Sequence, residues 1–100
     1  MIERTWRGIA NIETASQYIE HLKKHTFPKV RKISGNLGAK VLKRDLNNQV
    51  EFLVVTTWTS MAAIKAFADR DIESAVVPEE AQAVLAEYDE SVRHYELVDI

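Results

Sequence analysis

No cysteine occurs among the 100 residues, so disulfides, thiolate metal sites, iron–sulfur clusters and cysteine nucleophiles are excluded together. No apolar run approaches the roughly 18 residues of a membrane-spanning helix, and Met1-Ile2-Glu3-Arg4 does not open a signal peptide. No membrane partner is therefore expected, and the expected location is cytoplasmic. Excess basic charge is missing too: 13 Lys and Arg against 15 Asp and Glu leave a net charge of −2, which argues against a strongly basic nucleic-acid binder. With only 3 glycines and 2 prolines, collagen-like repeats are excluded. What is there is a globular composition, 46% hydrophobic and 28% charged. A chain of this length buries about two thirds of its extended surface. That is enough for one cooperative core, and residues 1–100 are read as a single domain.

Stretches of strand period and helix period alternate in a definite order. Ile2 to Ala10 reads as a strand, and Thr14 to about Thr26 as a helix whose apolar stripe is Ala15, Ile19, Leu22 and Thr26, with Tyr18 flanking it. Thr14 and Gln17 fit a capping box, with Asn11 as the alternative cap, and Pro28 is expected to close the helix. Gly35 and Gly38 bracket the entry to a second strand, Leu37 to Arg44, and Asn47-Asn48 turns it into a third, Val50 to Trp58. Ser60 caps a helix carrying Met61, Ile64, Phe67 and Ala68 on one side, which Asp69-Arg70-Asp71 interrupts. Ile72 to Val76 allows one more turn, and Pro78 suits the start of another helix with a stripe of Ala81, Val84, Leu85 and Tyr88. Glu90 to Val98 alternates as a last strand. The fold class is α+β: a ferredoxin-like split βαββαβ with a four-stranded antiparallel sheet.

The third strand is apolar on both faces at its centre, with Val50, Phe52, Val54, Thr56 and Trp58 on one side and Leu53 and Val55 on the other. Helices in this topology cover one face only, and no sequence remains to cover the second. A second copy of the sheet, related by a two-fold axis, is the simplest cover, so a homodimer is expected. Sequence alone does not decide which set of residues faces that partner.

Three segments carry a family resemblance. Thr57-Trp58-Thr59-Ser60-Met61-Ala62-Ala63-Ile64-Lys65-Ala66-Phe67-Ala68 resembles the W-x-S-x-x-A-h-x-x-F stretch of the antibiotic biosynthesis monooxygenase family; Arg4-x-Trp6-x-Gly8 and Val92-Arg93-His94-Tyr95-Glu96 are similar to the first and last strands of many small members. The resemblance implies a dimeric α/β barrel with sheets packed back to back and a pocket between each sheet and its own helices. It also implies chemistry, since members include cofactor-independent, quinone-forming oxygenases and haem degraders. The haem degraders carry an asparagine, a tryptophan and an iron-ligating histidine at positions aligned with Trp6, Phe67 and Val77. Valine offers iron no donor, so haem degradation is not expected. The expectation is a cofactor-independent monooxygenase acting on a small phenol- or hydroquinone-like aromatic, with no cofactor. The alternative is a non-catalytic small-molecule binding or sensing module of the same fold.

Such an oxidation needs an apolar slot for a flat ring, a base near neutrality and a donor for the anion. His94 is the candidate base, weighed against a structural histidine bonded to a neighbour such as Glu96. Trp6, at the position of the family's catalytic asparagine, is a candidate catalytic donor as well as stacking surface, and Trp58 and Phe67 are further substrate-binding candidates. Arg4 shares a strand face with Trp6 and is suited to hold a phenolate or carboxylate, or else to pair with an acid on a neighbouring strand. Tyr95 should point away from His94. His21 and His25 have metal-ligand spacing, but Lys23 and Lys24 stand beside them and no third ligand is near; His21 is expected in solvent, and no metal site is expected. Residues 23 to 44 hold eight basic side chains and no acid, yet the aromatics that stack RNA bases in modules of this topology are missing from the third strand, so no nucleic-acid partner is expected.

Overall fold

The structure is a computed structural model that describes residues 1–68 and 71–100, so the first two residues of the Asp69-Arg70-Asp71 interruption lie outside it. Strand β1 (Ile2–Asn11) leads into α1 (Ala15–His21), which passes through a π-helical turn (Leu22–Thr26) into α2 (Phe27–Arg31). There follow β2 (Asn36–Leu46), β3 (Gln49–Trp58), α3 (Met61–Ala68), α4 (Glu79–Gln82), β4 (Glu87–Tyr88) and β5 (Arg93–Glu96). The sheet is antiparallel in the order β2-β3-β1-β4, with β5 also pairing β1. This is the expected α+β, ferredoxin-like arrangement. No helix among the described residues is long and apolar enough to cross a membrane.

The hairpin closes where Asn47-Asn48 stands, with Leu46 across from Gln49. Along β3 the even positions face the helices: Phe52 and Trp58 are fully buried, and Val50, Val54 and Thr56 lie beside them. Leu53 and Val55 therefore belong to the outer face, where Leu42 and Leu53 sit opposite one another with 50% and 37% of their surface exposed. Gly35 adopts φ +93°, and a methyl there would stand 2.5 Å from the Ala63 Cβ, so only glycine lets the chain turn this close beneath α3.

Five local expectations are corrected. Pro28 does not close the first helix, because the π turn just before it widens the backbone where a proline ring would strike the preceding turn and would lack a donor. Neither Thr14 nor Asn11 caps α1 through its side chain: the Thr14 hydroxyl donates to the Val84 carbonyl at 2.8 Å, and the Asn11 side chain accepts from Gln49. No helical turn forms over Ile72 to Val76; Ser74 instead bridges to Ser91. The next helix stops at Gln82, so Tyr88 is a strand residue in a short piece across from Gly8 and Ile9, and the strand expected over Glu90 to Val98 forms only over Arg93–Glu96, across from Ile2 to Thr5. Between them Asp89 hydrogen-bonds back to the Arg7 carbonyl and takes up the slack.

Candidate functional site

The two-residue period of β1 places Arg4, Trp6 and Gly8 on the helix-facing side. Register sets their neighbours: Arg4 lies across from Thr56 and His94, Trp6 from Val54, and Gly8 from Phe52 and Tyr88. Gly8 makes room for the tryptophan, since a methyl on it would stand 2.8 Å from the Trp6 ring. Between this face and the helices lies an apolar cavity of about 70 Å³, walled by Trp6, Tyr18, Phe67 and Val77, to which Arg4 brings a guanidinium and His21 an imidazole. It adjoins a cleft of about 260 Å³ that shares His21, Thr26, Phe67, Val76 and Pro78 with it. Together they reach the lower end, about 300 Å³, of the range for small-molecule sites.

Arg4 is the unusual member. Only 4% of its surface is exposed, yet no carboxylate among the described residues pairs with it. Its guanidinium donates to the carbonyls of Ile72 at 2.6 Å and Ser74 at 3.1 Å and lies over the Phe67 ring, 5.5 Å from the centroid. Burial lowers its pKa to about 10, which still leaves it cationic at neutral pH. The remaining contact is to His94, whose Nε2 is 2.9 Å from Arg4 Nη1. A guanidinium only donates, so Nε2 is the acceptor and His94 is the neutral imidazole with its proton on Nδ1. Burial, and then the charge of Arg4, hold the His94 pKa below its usual value, with Glu73 opposing.

His94 therefore stands behind Arg4 and is not among the cavity-lining residues; its partner is Arg4 and not Glu96. Tyr95 is on the opposite, outer face, as its strand position required. Trp6 contributes ring surface, while its indole N–H is engaged with the Asp89 carbonyl at 2.6 Å. Phe67 lines both cavity and cleft. Trp58 lies outside the lining, fully buried, its ring stacked on Phe67 at 5.9 Å and its N–H donated to Thr56 Oγ1 at 2.8 Å. Arg4, Trp6, Phe67 and Val77 thus converge on one cavity, and Trp58 supports it from below.

His21 is the residue that sequence reasoning misplaced. Rather than lying in solvent it lines the cavity, stacked against Tyr18 with centroids 6.5 Å apart, and its Nε2 is buried without a hydrogen-bond partner among the described residues. The buried positions of this helical run are Ala15, Tyr18, Leu22, Phe27 and Val30, a spacing of three, four, five and three. The step of five is the sequence trace of the π turn, and an ideal 100° wheel passes over it. Burial and the neighbouring His25 lower the His21 pKa, while Glu80 acts in the opposite direction. No group of three or more His, Cys, Asp or Glu side chains suited to a metal ion occurs among the described residues.

The known proteins this chain is similar to share the architecture. A protein of Deinococcus radiodurans assigned as an antibiotic biosynthesis monooxygenase matches at 20% identity and TM-score 0.66, over 100% of this chain and 95% of that one. A Bacillus cereus protein with the same assignment matches at 17% identity and TM-score 0.67, over 99% and 96%. The haem degrader MhuD of Mycobacterium tuberculosis, with two haems in its active site, matches at 20% identity and TM-score 0.58, over 100% and 99%. No curated protein matches the sequence. The sequence model of the antibiotic biosynthesis monooxygenases covers residues 10–77, taking in the helix with His21, the hairpin, and Phe67 through Val77. By that match over most of its length, and with a fold in keeping with it, the chain belongs to the antibiotic biosynthesis monooxygenase family.

Proposed function

We propose that this protein is a cofactor-independent monooxygenase that binds a small phenol- or hydroquinone-like aromatic as its anion and lets dioxygen oxidise it to a quinone. The observation that carries the reading is Arg4, a buried cation with no carboxylate partner among the described residues at the wall of an apolar cavity. Leaving such a charge unpaired is costly, and a phenolate oxygen would complete it. The flat faces of Trp6 and Phe67 suit an aromatic ring. For a simple phenol the balance is closed by dioxygen alone. The phenol loses its O–H hydrogen and the opposite ring hydrogen, one oxygen atom becomes the second carbonyl, and the other leaves as water. The substrate supplies all the electrons, so the protein need only hold the anion, exclude water and manage a proton. No step is given to haem, because Val77 brings no donor to the wall that the family's haem degraders furnish with an imidazole.

In this reading Arg4 holds the anion, Trp6 and Phe67 sandwich or edge the ring, and His94 positions the guanidinium. A second copy of the chain covers the outer face around Leu42, Leu53 and Tyr95. Oxygen uptake with a panel of hydroquinones and anthrones tests the activity. At least one member should consume oxygen and yield a quinone, and Arg4→Gln should lower kcat/KM roughly ten- to a hundredfold, the worth of one charged hydrogen bond. One observation favours a pure binding module instead: the Nε2 of His94, the expected base, already accepts from Arg4. Ligand binding without oxygen uptake across the panel would decide for that module.

A further inference from the structure

We propose that His21 is the proton acceptor of this cavity: its Nε2 hydrogen-bonds the hydroxyl of a bound phenol and takes the proton while Arg4 receives the resulting oxyanion. The inference rests on the phenol-binding reading above and deepens it. Its basis is geometric. Nearly every buried polar atom in a folded protein has a partner. Among the described residues His21 Nε2 is the buried side-chain atom that lacks one, and its ring lines the same cavity as Arg4. The ring is held by stacking on Tyr18, itself almost wholly buried, so the imidazole keeps its aim without a protein hydrogen bond.

The chemistry follows from the surroundings. The groups that face His21 are His25, Glu20 and Lys24 on its own helical run, Lys29 from α2 and Glu80 from α4 in the adjoining cleft, and Arg4 and Tyr18 in the cavity. Burial and His25 favour the neutral imidazole, so it rests as a base at neutral pH. Tyr18 stays protonated, because burial pushes its phenol well above the ordinary value. In the transfer the phenol O–H bond breaks, an N–H bond forms on His21, and the electron pair stays on the oxygen. The phenolate then lies between an imidazolium and a guanidinium. Each cation is stabilised by the anion, and neither is stable beside the other without it.

The test uses 4-nitrophenol, whose phenol and phenolate forms absorb at different wavelengths. Three histidines are present, so their ring signals can be resolved by NMR and assigned with His21→Gln and His25→Gln. In the free protein the His21 signal should titrate below its usual value. With saturating 4-nitrophenol it should titrate higher by about one pH unit or more, as a charge placed beside it requires, while His94 moves less. At pH 7 the bound probe should be more fully phenolate in the wild type than in His21→Gln. Arg4→Gln should weaken probe binding about tenfold or more. If binding depends on Arg4 but the His21 titration does not move, the role of His21 is refuted and the phenol site stands. If no Arg4-dependent binding is found, both fall. A haem titration whose Soret shift disappears in His21→Gln would also overturn the proposal, by giving Nε2 to iron. Should His21→Gln fail to fold, the wild-type titration alone decides.

Discussion

Arg4 and His94 form a pair that works only while the imidazole is neutral. Acid adds a second positive charge 2.9 Å from the guanidinium. The His94 pKa is lowered by folding, so its contribution to stability is present above the unfolded value near 6.5 and is lost as pH falls through that value toward the folded one. His21, lowered for similar reasons, adds to the same slope. The melting temperature should therefore fall between pH 7.5 and 5.5, and His94→Gln, which keeps an acceptor for Arg4, should flatten part of that fall. A wild-type melting temperature independent of pH across this range would contradict a His94 held neutral beside Arg4. At Gly8 the issue is space. Its Cβ would meet the Trp6 ring at 2.8 Å, and that ring is tied to Asp89, so Gly8→Ala should displace the indole. The expected signature is a change in tryptophan fluorescence and several-fold weaker ligand binding, with the secondary structure kept by circular dichroism.

At the scale of elements, the first helical run behaves as two α-helices spliced by one extra residue. If the π turn exists to accommodate Pro28, removing Lys24 should restore a uniform helix and drive the proline ring into the preceding turn. The deletion is expected to cost about 3 kcal/mol, measurable by urea unfolding, and adding Pro28→Ala should recover most of it. Equal costs in the two backgrounds would refute the coupling. The same element shows what sequence could convey. β1, β2 and β3 were legible because strand period is short and the Asn47-Asn48 turn pins the register, so Arg4 and Trp6 fell on one face as their spacing required, while period did not decide that this face is the one beneath the helices. Phe67 was legible from its helix stripe and family segment. His21 was not, because its position depends on a backbone irregularity whose only trace is a spacing of five between Leu22 and Phe27. The chain after Pro78 was misjudged for another reason. Val84, Leu85 and Tyr88 also suit a short helix leading into an edge strand, and pairing with Gly8 and Ile9 outweighed helix propensity. Nor could period alone show that the Trp6 and His94 ring nitrogens would be occupied by Asp89 and Arg4.

For the whole molecule, the outer sheet face combines exposed Leu42, Leu53 and Tyr95 with a charged cluster in which Glu51 accepts from both Arg7 and Arg44. Arg7 and Arg44 keep the Glu51 carboxyl below its ordinary pKa, so the cluster is ionised at neutral pH. If a second copy docks there, Leu53→Asp should give a monomer by light scattering at micromolar concentration, whereas Val54→Asp, on the cavity side, should disturb the fold or ligand binding instead. A wild type that is already monomeric would rule the docking out.

The partners of Arg4 also fix when the site comes into being. The β2–β3 hairpin closes over two residues, whereas Arg4 reaches carbonyls and an imidazole 68, 70 and 90 positions along the chain. Local contacts form early, and those that close long loops wait. A refolding chain should therefore protect the hairpin amides while the guanidinium is still in water, and the anion site should be assembled among the last events. A ligand that recognises Arg4 would then favour the finished protein over its folding transition state. Its effect should be to slow unfolding while leaving the rate of folding almost unchanged.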